Sequence, residues 1–174
     1  MSADASILVW IQNNVRSAWL SPATIFITHL GDAGLFWILL TLGLLCFRKT
    51  RRLGAICALS MLLGMVVTNL LLKNWVRRVR PYEVVASLER IVSAQKDWSF
   101  PSGHTTNSFA CAWVLFRSAP KRWGMPALVL AALIGLSRLY VGVHYPTDVL
   151  VGLIIGVACA EAALRLMKRA EHTP

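Results

Sequence analysis

An all-α fold, a polytopic membrane helix bundle, is what this 174-residue chain predicts, and three observations carry the prediction. Hydrophobic residues make up 56% of the chain and charged residues 15%, where a soluble domain carries about a quarter charged residues. The apolar residues form long runs separated by short basic clusters. Trp10, Trp19, Trp37, Trp75, Trp98 and Trp123 mostly stand near the ends of those runs, as an aromatic belt would, whereas Trp113 falls mid-run and reads as packing.

Residues 5–20 read as an amphipathic helix. Ile7, Leu8, Ile11, Val15, Trp19 and Leu20 recur at helical spacing, with Gln12, Asn13, Asn14 and Arg16 between them. The pattern favours a helix lying in the interface over a sixth full span. Asp4, Asn13, Asn14 and Arg16 interrupt any signal-peptide core there, and Ser21-Pro22 starts a new segment. Five apolar runs follow. The first covers about Gly34 to Phe47, with Ile25 to Leu30 extending it backwards. The second runs from Leu53 to Leu72, the third from about Thr105 to Phe116, the fourth from about Trp123 to Leu136 and on towards Val143, and the fifth from Val149 to Leu166. A span needs about 20 apolar residues. The expectation is therefore five clear transmembrane helices plus an N-terminal amphipathic or sixth helix, in one membrane-embedded domain over residues 1–174.

Charge sets the orientation. The chain holds 18 Lys and Arg against 8 Asp and Glu, a net charge of +10. In a soluble protein that balance would point to nucleic acid; here the cations lie between apolar runs and point to lipid headgroups, topology signals and an anionic substrate, with no nucleic-acid partner. Arg48, Lys49, Arg51, Arg52, Arg117, Lys121, Arg122, Arg165, Lys168 and Arg169 fall on one side of a five-span arrangement, which the positive-inside rule makes cytoplasmic. Arg16, Lys73, Arg77, Arg78, Arg80, Arg90, Lys96 and Arg138 fall on the other. Three of these, Lys73, Arg80 and Arg138, have a chemical reason to be there. Arg77 and Arg78 read as a basic collar at the headgroups. The expected location is the inner (cytoplasmic) membrane, with the chemistry on the extracytoplasmic face.

That chemistry lies in three blocks: Lys73 with Arg80-Pro81, then Pro101-Ser102-Gly103-His104, then Ser137-Arg138 with His144 and Asp148. Each stands at the end of an apolar run. Together they supply three cations, two imidazoles and a carboxylate, the set that phosphoryl transfer through a histidine requires. His144 and Asp148 are one helical turn apart, so the carboxylate can accept a hydrogen bond from one ring nitrogen and leave the other free to attack. Ser102-Gly103 opens a helix, where glycine allows close approach and free N–H groups receive an anion. His104 would stand across the phosphate as general acid. Lys73, Arg80 and Arg138 would hold the non-bridging oxygens. Arg77 to Phe100, the longest polar stretch, reads as a lid, a binding element or a connector.

Other features carry less. Cys46, Cys57, Cys111 and Cys159 lie in apolar runs without metal-ligand or redox spacing and read as small core residues. No metal site and no cofactor are expected. His29 and Asp32 read as a helix-end cap or interfacial contact. His172 lies in a polar tail. Glu161 reads as an i+4 partner of Arg165, with a contact between protomers, and so a homo-oligomer, left open.

The pattern Lys73-x6-Arg80-Pro81, Pro101-Ser102-Gly103-His104 and Ser137-Arg138-x5-His144-x3-Asp148 resembles the type 2 phosphatidic acid phosphatase (PAP2) family, with all three signature blocks in order over a motif core at residues 73–148. The resemblance implies a metal-independent hydrolase with an all-helical core. By position it makes His144 the nucleophile that forms a phosphohistidine, Asp148 its orienting group and His104 the general acid. It assigns Lys73, Arg80, Ser102, Gly103 and Arg138 to phosphate binding. Membrane members usually have six spans. The implied substrate is a lipid phosphate or pyrophosphate, with undecaprenyl pyrophosphate first, and phosphatidylglycerophosphate or phosphatidic acid as the alternative. A non-catalytic lipid carrier is the competing class, but it would usually place its polar site at the bilayer midplane. Vanadium-dependent oxidation fits a membrane setting poorly.

Overall fold

A computed structural model describes residues 2–170, and those residues form helices and loops with no strand. The order is α1 (Ala3–Asn14), α2 (Leu20–Leu30), a single 3-10 turn (Asp32–Gly34), α3 (Leu35–Cys46), α4 (Arg51–Met65), a π-helical stretch (Val66–Leu72), α5 (Lys73–Val76), α6 (Pro81–Val84), α7 (Gly103–Ser118), α8 (Lys121–Tyr140) and α9 (Pro146–Ala170).

Three stretches are long and apolar enough to cross a membrane: Arg51–Val84, Lys121–Tyr140 and Pro146–Ala170. Leu20–Leu30 and Asp32–Cys46, bent by 46°, make a fourth if they form one span. The third expected run is α7, whose 16 residues reach only about 24 Å at 1.5 Å per residue, short of a hydrocarbon core of about 30 Å. Its place explains its composition. α7 is the central helix, packed by α4, α8 and α9, and it buries Thr105, Thr106 and Ser108 beside Phe109, Ala110, Cys111 and Ala112. A helix covered by protein need not be apolar all round.

Small residues set the helix spacing. In α9, a Cβ on Gly156 would lie 2.6 Å from the Thr106 carbonyl oxygen, and one on Gly152 would lie 2.8 Å from the Ser102 carbonyl oxygen. These glycines, four apart, let α9 lie directly on the α7 backbone, as small residues do between membrane helices. Polar ties add to the contact: Trp37 Nε1 donates to Ser108 Oγ at 2.9 Å, and Ser60 Oγ donates to the Ala110 carbonyl at 3.1 Å.

Several expectations change. Trp37 is buried in the core, whereas Trp10, Trp19, Trp75, Trp98 and Trp123 are exposed in keeping with a belt. Cys57, Cys111 and Cys159 are buried and Cys46 is exposed. The N-terminal helix stops at Asn14, so Trp19 and Leu20 belong to the next element. Glu161 receives Trp113 Nε1 at 2.8 Å and an ion pair from Arg117 on α7, in place of the expected Arg165. That contact ties α9 to α7 within one chain. His172 lies outside the described residues.

The helix directions bring the three blocks together. α4 ends at the same pole where α7 begins, α8 ends and α9 begins. At the opposite pole, Lys49, Arg52, Arg117 and Lys168 line one groove, as the two-sided sorting of cations requires.

Candidate active site

Lys73, Arg80, Ser102, Arg138, His144 and Asp148 are all buried. Each is delivered by a helix end. The π stretch widens the turns just before Lys73 and re-aims the residues that follow. Arg80 is the extended residue before α6, which starts on Pro81. Ser102 caps α7, with Thr105 donating both its backbone N–H and its hydroxyl to Ser102 Oγ. Arg138 lies in the last turn of α8, and Asp148 in the first turn of α9. Gly103 brings the α7 start close to Lys73: a Cβ there would stand 3.7 Å from Lys73 Nζ.

Three buried cations at one pole need an anion, because an unpaired buried charge is costly. Asp97, from the polar loop, answers two of them. Its carboxylate pairs with Lys73 and accepts from Arg80 Nη2 at 2.6 Å, while its backbone carbonyl accepts from Arg80 Nε at 2.9 Å. Burial would raise the Asp97 carboxyl, but the Lys73 hydrogen bond and charge, aided by Arg80, bring it down to about 2. Arg138 is answered only in part. Its Nη1 donates to Thr28 Oγ1 at 2.6 Å, and its Nε and Nη2 have no hydrogen-bond partner among the described residues. Buried donors of a guanidinium left open beside Lys73 and Arg80 mark an anion position.

His144 lies beside this cluster. Arg80 Nη1 donates to His144 Nε2 at 3.3 Å and to the Val143 carbonyl at 2.8 Å. His144 Nδ1 stands 3.4 Å from Asp148 Oδ2 and has no closer partner. The i+4 spacing thus gives a contact longer than the hydrogen bond the sequence predicts. Contacts of this kind often tighten only around a substrate. The geometry places the proton on Nδ1 and the lone pair on Nε2. Burial pushes the His144 imidazole down, Asp148 pulls it up, and the Arg80 and Arg138 charges push it down again, to about 3. The ring is therefore uncharged, with a lone pair free on Nε2.

Asp148 is fixed from several sides. It accepts from the Tyr145 backbone N–H at 2.9 Å, from Ser99 Oγ and from Arg78 Nη1 at 2.7 Å. Arg78 also lies 3.7 Å over the Tyr145 ring and donates to Asp4 on α1 at 2.8 Å. Arg78 is thus no headgroup collar; it locks the carboxylate behind His144. Arg77 is exposed, as expected of a collar residue.

His104 comes to the same pole, with its Nε2 donating to Asp32 Oδ1 at 2.9 Å. Asp32, Asp97, Arg78 and Ser99 are what sequence reasoning missed. Arg78 was visible as one of three cations in Arg77-Arg78-Val79-Arg80, and Asp97 as a carboxylate in the loop beside the site, but nothing in the spacing says which partner each meets. The arrangement offers a neutral imidazole nitrogen facing a cationic cradle at a helix N-terminus, with a second imidazole nearby. It suits in-line attack on a phosphorus whose oxygens the cations hold.

The PAP2 superfamily model matches residues 53–171. The chain belongs to the PAP2 superfamily. It is accordingly a membrane phosphatase, a hydrolase acting on phosphate esters. The chain is 36% identical to phosphatidylglycerophosphatase B of Bacillus subtilis over 82% of its own length and 73% of that protein's. It is 31% identical to an undecaprenyl-diphosphatase of Sulfolobus acidocaldarius, covering 83% of this chain and 69% of the relative. Among solved structures, Aquifex aeolicus LpxE superposes with a TM-score of 0.83 at 28% identity, over 95% of this chain and 96% of that one. The present chain has the bundle, with the buried cations and the two histidines at one pole.

Proposed function

We propose that this phosphatase removes phosphate from a lipid headgroup through a phosphohistidine on His144, without a metal, and that undecaprenyl pyrophosphate is the substrate, yielding undecaprenyl phosphate and inorganic phosphate. The observation that carries this reading is the contact between His144 Nε2 and Arg80 inside the cradle of Lys73, Arg80 and Arg138. Lys73, Arg80 and Arg138 grip the phosphate oxygens, with Ser102 and Gly103 bringing the α7 N-terminus to them. His144 Nε2 attacks phosphorus while Asp148 holds the ring and favours the charge that develops on it. His104 protonates the leaving oxygen, then takes a proton from the water that hydrolyses the phosphohistidine. The cations favour the transition state because its charge sits on the oxygens they already hold.

The single domain over residues 1–174 would sit in the cytoplasmic membrane with the site on its outer face. The ten cations at the opposite pole support that orientation, and a site at a bundle end suits a phosphate at headgroup depth. The likeness to phosphatidylglycerophosphatase B favours phosphatidylglycerophosphate as the second substrate reading. The test is phosphate release from undecaprenyl pyrophosphate by detergent-solubilised protein in EDTA, for wild type and His144→Ala. Release by wild type alone is the expected result. Release from phosphatidylglycerophosphate only would transfer the assignment to that lipid, and equal release by both proteins would remove His144 as nucleophile.

A further inference from the structure

The general acid in the reading above has a problem of charge. His104 must carry a proton to give one, yet it is partly buried, with Arg138 and Lys73 close enough to repel an imidazolium. The nearest opposing charge is outside the three blocks. Asp32 Oδ1 accepts from His104 Nε2 at 2.9 Å, and Asp32 Oδ2 accepts from His29 Nδ1 at 2.6 Å. Both carboxylate oxygens are thus committed, one to each histidine. Exposure rises outward along the row: the His104 side chain is 16% exposed and that of His29 57%.

The turn carrying Asp32 is shaped for this contact. It joins α2 to α3 and contains two consecutive left-handed residues, Ala33 at φ 50° and Gly34 at φ 70°. Alanine seldom adopts that conformation, and such strain concentrates at functional sites. Gly31, just before it, has no room for a side chain: a Cβ would lie 2.7 Å from His104 Cδ2 and 2.8 Å from Ile134 Cγ2. The backbone of the turn therefore presses against the His104 ring itself. A simple helix-end cap needs neither the strained alanine nor the close approach to a residue 73 positions away.

We propose that Asp32 is the positioning residue of the general acid: it fixes the His104 ring through Nε2 and opposes the burial and the Arg138 and Lys73 charges that disfavour the imidazolium, while His29 holds Asp32 in place. The inference rests on the phosphohistidine reading. His104 then exchanges protons through Nδ1. In the first step, the N–P bond forms at His144 as the bond to the leaving oxygen breaks, and that oxygen receives the Nδ1 proton. In the second, water attacks phosphorus, the N–P bond breaks, and neutral His104 takes the proton from that water. Asp32 stays ionised throughout and transfers no proton. The charged and titratable groups facing His104 are Asp32 and, more distantly, Lys73 and Arg138, with His29 acting through Asp32.

The test uses full-length protein in detergent and two probes: dioctanoyl phosphatidic acid, whose alkoxide leaving group needs a proton, and para-nitrophenyl phosphate, whose leaving group does not. Asp32→Asn is expected to lower kcat on phosphatidic acid by about tenfold or more at pH 7.5, within the span of general-acid effects, and to leave KM and vanadate inhibition near wild type. It should move the alkaline limb of the pH profile to lower pH and leave the initial burst of para-nitrophenolate, which reports the first step alone, within about threefold. His29→Ala should shift the limb the same way by less, which keeps the inference testable if Asp32→Asn does not fold. Equal losses on both probes with an unmoved limb, or profiles that superpose on wild type, would overturn it. Wild-type protein inactive on every phosphate ester would instead sink the phosphatase reading beneath it.

Discussion

The two poles of this bundle carry cations of the same kind in similar number and treat them in opposite ways. At one pole, Arg48, Lys49, Arg51, Arg52, Arg117, Lys121, Arg122, Arg165, Lys168 and Arg169 are all exposed. At the other, Lys73, Arg80 and Arg138 are buried, and the chain spends a loop carboxylate, Asp97, and a threonine, Thr28, on them. An exposed cation near headgroups keeps much of its hydration, even where, like Arg117 with Glu161, it also pairs with a neighbour. A buried one is costly and is retained where its field acts on something. Position relative to the membrane explains the first set, and an anionic substrate explains the second.

Changing one buried cation should have the largest effect. Arg138→Ala should lower kcat/KM by roughly a hundredfold to a thousandfold, as loss of a transition-state donor does, and Arg138→Lys should not restore it, since a point charge cannot reproduce the two open guanidinium donors. Recovery by lysine would reduce the site to bulk charge.

Gly156→Leu attacks the scaffold beneath the site instead. The new side chain would enter the α7 backbone, so separation of α9 from α7 should lower stability by about 1–3 kcal/mol or more, the usual cost of overpacking, read as a drop in the thermal midpoint in detergent. An unchanged midpoint would mean the two helices are not held by this contact.

Titration sharpens the contrast further. His144 is uncharged down to about 3 in the folded protein against 6.5 unexposed to that environment. The unfolded chain therefore binds the extra proton first, and stability falls as pH drops from about 6.5 towards 3. The thermal midpoint should decline across that window, and less steeply in His144→Gln. Asp97 stays ionised above about 2, so its grip on Lys73 and Arg80 does not relax at any ordinary assay pH. Asp97→Asn should accordingly bind inorganic phosphate and vanadate several-fold more tightly, about 1 kcal/mol for a competing charged contact removed, measured as inhibition constants. Weaker binding would make Asp97 a support of the cradle and not a competitor for it.

The smallest effect belongs to the solvated pole. Arg122→Gln should leave kcat/KM within about twofold, as exposed substitutions away from special features do. A large loss would erase the distinction between the poles.

Much of this site was legible in the sequence because its chemistry is carried by residue types that are rare at the ends of apolar runs. Lys73, Arg80, Ser102, Gly103, His104, Arg138, His144 and Asp148 all come to one pole, as the five-run reading requires. What was hidden depends on tertiary pairing. α7 looked like a marginal span because it is the covered centre of the bundle and keeps Thr105, Thr106 and Ser108 inside. The π stretch before Lys73 leaves no mark in the apolar pattern. Arg78 differs from Arg77 only in which way the chain turns: Arg77 takes a left-handed conformation and stays exposed with its Nε on the Asn74 carbonyl, and Arg78 reaches Asp148. Asp32 sits next to nothing catalytic in sequence, and only the α2–α3 turn brings it to His104.

His144 Nε2 is the atom that this mechanism requires to receive the phosphoryl group. Rapid acid-free quenching of the protein during turnover of radiolabelled lipid phosphate, followed by peptide mapping, tests this directly. Label on the peptide containing His144, stable to base and labile to acid, and absent from His144→Ala, is the result this mechanism predicts. Full turnover by wild type with no labelled histidine at any time, or label on His104 instead, would contradict it.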